Sequence, residues 1–144
     1  MRTRIVSLLA VVLALALVAT ACSKKNGTEG GGGTITIAGQ KANDKGTKDV
    51  SGASSSELEL NNEGNVYYFE PTILKGTAGQ KMTLELSNEG SALHNFSVTD
   101  QNVDQDVPSG QKAEVTVTFP QAGTLVFFCK YHQTLGMVGA LEVA

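Results

Sequence analysis

The residues best equipped for chemistry lie near the carboxyl end of the chain. Cys129-Lys-Tyr-His132-Gln-Thr-Leu-Gly-Met137 places a thiol, an imidazole and a thioether within nine residues. All three are soft or borderline metal ligands, so one loop holds three donors of compatible chemistry. Each has an ordinary alternative: a cysteine closing an apolar strand is commonly buried and inert, a lone histidine decorates many loops, and a lone methionine fills cores. Their coincidence carries the weight, because the chain has only two histidines and, after its first segment, two methionines.

The second histidine, His94, stands in Ala92-Leu-His-Asn-Phe-Ser-Val98 and shares strand parity with Phe96 and Val98. It is therefore expected to point inward near a strand end. A buried imidazole needs a partner for each ring nitrogen, and a metal supplies one; a satisfied core histidine is the competing reading. Two imidazoles and a thiolate in a plane, completed by a weak axial methionine, are the donor set of blue-copper electron transfer.

Strands must position these donors. Met82, Leu84 and Leu86 alternate with polar residues, as do Val115, Val117 and Phe119, and each series is one face of a sheet. Thr124 to Cys129 is a nearly continuous apolar run suited to a sandwich interior, and Val138 to Val143 is the last strand. Turn residues recur at Gly76 to Gln80, Asn88 to Ser91, Pro108 to Gly110 and Pro120 to Gly123, and no stretch after the first segment has a helical apolar period. The pattern predicts an all-β protein, a Greek-key β-sandwich of seven or eight strands with its core over 57–144. Thr34 to Ala38 alternates like a short strand; the rest of 34–56 is mostly polar and reads as a loop or continued linker.

The amino-terminal segment is of another kind. Arg2 and Arg4 precede an apolar run from Ile5 to Val18, and the small residues Ala19-Thr20-Ala21 lead to Cys22. Residues 1–21 are expected to be a secretory signal, since the run is too short to span a hydrocarbon core of about 30 Å comfortably. Ala-Thr-Ala-Cys also resembles a bacterial lipobox, although Ala19 stands where Leu is more usual. The resemblance implies that Cys22 is acylated and anchors the protein on the outer side of a bacterial membrane. An ordinary cut nearby would instead remove Cys22 or leave it as a spare thiol. Residues 22–33, Gly-rich and without apolar side chains after Cys22, read as a flexible tether.

Without residues 1–21 the chain carries nine lysines against fourteen acidic residues, a net charge of −5. The lysines are spaced, so no basic stripe for nucleic acid is formed. Mild acidity suits an exported, soluble domain, expected as a monomer, and would steer a basic protein partner.

From about Glu57 to Ala144 the sequence resembles the plastocyanin and amicyanin group of cupredoxins. The likeness rests on Tyr68-Phe-Glu-Pro71, Ala78-Gly-Gln80, Leu93-His-Asn-Phe96 and, most specifically, Cys-x2-His-x4-Met followed by Gly139. It implies one copper ion bound by His94, Cys129, His132 and Met137, with Asn95 tying the two ligand loops together by hydrogen bonds. Lys130-Tyr131 departs from the Pro-containing pair often found between cysteine and histidine. His132 is expected to present its outer edge within an apolar patch of Leu93, Leu135 and Gly136, where electrons would pass to and from redox protein partners.

The function expected is a single-electron carrier, not an enzyme: a cysteine nucleophile would need a base and an orienting group, and a multicopper oxidase would need further His pairs. Copper storage or delivery is the alternative, although the chain has no Met-rich or His-rich tract. A metal-free β-sandwich that binds other proteins is a lesser one.

Overall fold

The computed structural model describes residues 32–144. The expected signal, Cys22 and the tether up to residue 31 lie outside the described residues. Among the described residues, no helix is long and apolar enough to cross a membrane.

In chain order the first strands are β1 (Thr34–Ile37), β2 (Gln40–Asn43), β3 (Thr47–Asp49), β4 (Ser55–Glu63), β5 (Val66–Glu70) and β6 (Ile73–Lys75). They are followed by β7 (Lys81–Asn88), β8 (His94–Val98), β9 (Val103–Val107), β10 (Lys112–Thr118), β11 (Gly123–Phe128) and β12 (Val138–Val143). One sheet has the order β10-β7-β4-β5 and the other β3-β6-β12-β11-β8-β9, while β1 and β2 form a separate hairpin. Parallel pairing joins β4 to β7 and β6 to both β12 and β3; the remaining pairs are antiparallel.

The period-two pattern decides which faces meet. Met82, Leu84 and Leu86 on β7 and Val117 on β10 are buried, whereas Glu85 and Glu114 project from the outer face. Between the sheets Phe69, Phe96 and Phe127 form an aromatic cluster, with Phe69 edge-on to Phe127 at 5.0 Å between centroids. Burying each of these rings contributes about 2–3 kcal/mol from lost apolar surface. Gly139 lies opposite Phe127 on the neighbouring strand, and a Cβ there would run into the Phe127 ring and stand 2.6 Å from the Thr72 carbonyl oxygen. The absence of a side chain is what lets the ring cover that strand.

The strand count exceeds the expected seven or eight. Much of the excess lies in residues 34–49, where polar sequences such as Gln40-Lys-Ala-Asn43 and Thr47-Lys-Asp49 form strands because neighbours offer them hydrogen bonds and a packing face. Ile37 and Ala42 from the hairpin bury against Val138 and Ala140, with Val126 and Phe128 packed on the same cluster. Strand β11 is therefore apolar on both faces: Phe127 meets the main core and its neighbours meet the hairpin. Gly46 accepts hydrogen bonds from the amides of Thr72 and Ile73 at 2.9 and 3.1 Å, which fastens the segment to the sandwich.

Candidate metal centre

His94 opens β8, the strand between β11 and β9 in the larger sheet. The turn before it is fixed by Asn88, whose side-chain amide donates to the carbonyls of Ala92 and Val107 at 2.9 and 2.7 Å. Cys129 follows directly on β11. Its amide donates to the Met137 carbonyl at 3.0 Å, and the amides of His132 and Met137 donate to Cys129 and His132 carbonyls in turn. The loop is thus a closed hairpin whose single helical turn, Gln133–Leu135, ends at Gly136 with φ of 92°. That left-handed conformation favours glycine, and a Cβ would also stand 2.7 Å from the Asn43 side chain.

The fold brings His94, Cys129 and His132 together. One ligand atom from each lies within 4.8 Å of the others, and Cys129 Sγ is 3.5 Å from His132 Nδ1. The two imidazole rings meet at 70°, with centroids 5.2 Å apart. Met137 is fully buried at the end of the same loop. Tyr67, from β5, lies flat against His132 at 3.9 Å and edge-on to His94 at 6.1 Å.

The electrostatics suit neutral imidazoles. Burial, reinforced by nearby His132, pushes the His94 pKa down to about 4, and burial also lowers that of His132. Burial pushes the Cys129 thiol up, against hydrogen bonds to the sulfur from the backbone N–H groups of Tyr131, Asn95 and His132. A cation placed here would draw off the thiol proton, and the three amides would then stabilise the thiolate.

Both ring nitrogens of His94 are buried without a hydrogen-bond partner. Such a group costs about 1–3 kcal/mol unless something satisfies it. One nitrogen of His94, the His132 imidazole and the Cys129 thiol converge, and together they form a donor set that fits copper. The family model for a cupredoxin-like domain matches residues 9–141.

The chain belongs to the cupredoxin-like domain family.

Solved structures agree on the fold. Reduced auracyanin from Roseiflexus castenholzii is 20% identical with a TM-score of 0.53, covering 64% of this chain and 98% of its own. A laccase-like multi-copper oxidase from Ochrobactrum sp. is 13% identical with a TM-score of 0.54, over 68% of this chain and 28% of the oxidase. A chain of a heme-copper terminal oxidase dimer is 14% identical with a TM-score of 0.52, over 81% of this chain and 73% of its own. No curated protein matches the sequence. This cupredoxin binds copper, and His94, Cys129 and His132 form a candidate single site for it.

Asn95 is buried beside the site, its amide donating to Asp104 and Asp106 and its oxygen accepting from Ser97. Leu93 and Leu135 are 44% and 51% exposed, and His132 is half-buried. Gly136 corrects the expected patch: it is buried under the Asn43 amide, which donates to the carbonyls of Leu135 and Tyr67 at 2.9 and 2.8 Å. Sequence reasoning missed Tyr67, Asn43 and the two aspartates. Only Tyr67 left a trace, since it shares parity with buried Phe69.

Proposed function

We propose that this cupredoxin is a single-electron carrier whose one copper ion is held by His94, Cys129, His132 and Met137. The observation that carries the reading is His94, fully buried with two unpartnered nitrogens and facing a thiol and a second imidazole. Copper supplies the Cu(I)/Cu(II) couple. The chain's own residues supply rigidity: donors from one hydrogen-bonded hairpin and one strand end cannot relax far when the ion's charge changes. Small reorganisation makes electron exchange fast, whether the geometry is imposed by the protein or natural to copper and thiolate.

His132 is the half-buried member of the site, so its edge, with the exposed side chains of Leu93 and Leu135, would be the point at which donor and acceptor proteins exchange electrons. A carrier role, without catalysis of its own, is favoured by the single cluster of His and Cys donors among the described residues. The reading extends to the cell envelope: a cleaved signal, an acylated Cys22 and a glycine tether would hold the monomeric domain on the outer side of a membrane.

Visible absorption and electron paramagnetic resonance of the copper-loaded protein test the proposal, paired with repeated reduction and oxidation. An intense thiolate-to-copper band and fully reversible cycling are expected. A colourless Cu(II) form would reject the ligand set, and slow or irreversible cycling would favour copper delivery.

A further inference from the structure

The loop from Cys129 to Met137 contains no proline, so its backbone has no covalent stiffening. The two residues that follow Cys129 are instead fastened by their side chains to β9. Lys130 Nζ reaches Asp104 Oδ1 at 2.8 Å and Asp106 Oδ1 at 2.9 Å, and Tyr131 donates its hydroxyl to Asp106 Oδ2 at 2.9 Å. The same carboxylates accept both bonds of the Asn95 amide, at 2.7 and 2.9 Å. Asn95 in turn accepts from the Ser97 hydroxyl at 2.6 Å and from the Lys130 backbone N–H at 3.4 Å.

Two carboxylates thereby join the residue after His94 to the two residues after Cys129. Isolated ion pairs at a protein surface contribute little, because water screens them and the side chains lose freedom. This arrangement differs in that its centre, Asn95, is fully buried and has its donors and acceptors satisfied. Asp104 and Asp106 sit on alternate residues of β9, opposite Ser97 and Asn95 in register, so the strand presents both to the same face.

We propose that Asp104 and Asp106 are positioning residues for the metal centre. They clamp Lys130 and Tyr131 and thereby hold the Cys129 loop against the strand end that carries His94. The role rests on the copper reading of the site, but the clamp is open to measurement without metal.

The test compares the full chain with Asp104→Ala/Asp106→Ala and, separately, Lys130→Met. Lys130→Met removes only the two surface ion pairs of one lysine and keeps the fold if the double variant does not. In the copper-free proteins, amide hydrogen exchange at Lys130 and His132 is expected to quicken by about tenfold in both variants. With copper added, both are expected to broaden the Cu(II) resonance lines and slow electron self-exchange.

A purely electrostatic role makes a different forecast. Losing two negative charges would raise the reduction potential, losing the lysine would lower it, and exchange rates and line widths would stay put. That pattern, or unchanged amide exchange in the copper-free variants, would overturn the clamp. Failure of the unaltered chain to take up copper would sink the copper reading alone, since the amide measurement stands without metal.

Discussion

The rings of Tyr67 and His132 are stacked, with centroids 3.9 Å apart and planes 9° from parallel. Tyr67 is held in turn by Asn43, whose amide grips its carbonyl and that of Leu135 together. The aromatic face therefore limits how the imidazole can swing. Stacked aromatic pairs contribute about 0.5–1.5 kcal/mol beyond their buried area. Tyr67→Leu should accordingly speed Cu(I) release to a chelator by about fivefold, while Tyr67→Phe keeps the parent rate. Equal rates in the Leu and Phe variants would show that the stack does nothing for the ligand.

A pH dependence follows from His94 in the copper-free protein. Its folded pKa is about 4 against an ordinary 6.5, lowered first by burial and then by His132. Between those values the unfolded chain binds a proton that the folded chain does not, so stability rises with pH across the window and is lost as pH falls. The full effect is on the order of 3 kcal/mol. Burial of His132 acts with the same sign. Urea unfolding at pH 4 to 7 should show this slope in the parent and a reduced slope in His94→Gln; identical slopes would refute it.

Much of the sandwich was legible because its strands alternate: β7 and β10 announce their buried faces residue by residue. The hairpin β1–β2 and strand β3 were less so. Their side chains are mostly polar, and what makes them strands is a partner supplied by the rest of the fold. The ligand residues stand out by type and spacing, since cysteine, histidine and methionine are scarce in the chain. Tyr67, Asn43, Asp104 and Asp106 do not, because asparagine and aspartate recur along the chain, a tyrosine beside a strand core reads as packing, and only tertiary placement selects these four. Gly136 was misplaced for the same reason: nothing in its neighbours tells that Asn43 would lie over it.

Packing around Gly139 sets a limit on substitution. Its ideal Cβ position collides with the Phe127 ring and with the Thr72 backbone, which cannot swing aside as a flexible side chain would. Gly139→Ala should cost about 1–3 kcal/mol through overpacking. The urea midpoint is the measurement, and a midpoint equal to that of the parent would mean that the strand shifts without strain.

The envelope reading makes Cys22 the attachment point. A multiply acylated cysteine gains about 0.8 kcal/mol per buried methylene, enough for stable anchoring. Cys22→Ala should move the protein from the membrane fraction to the soluble one. Retention on membranes at the parent level would count against acylation.

Met137 offers the sharpest check on the fourth ligand. Its thioether is fully buried in the loop that also bears Cys129 and His132, and a soft sulfur donor favours Cu(I) over Cu(II). Exchanging it for the harder amide oxygen in Met137→Gln should lower the reduction potential while copper stays bound. Burying the amide should also cost stability by about 1–3 kcal/mol. Met137→Leu removes the donor altogether and should raise the potential, because Cu(II) suffers more than Cu(I) from losing a ligand. Opposite shifts from two substitutions at one site cannot come from a general loosening of the loop, which would move both the same way. If neither variant alters the potential, Met137 fills space and the ion has three protein ligands.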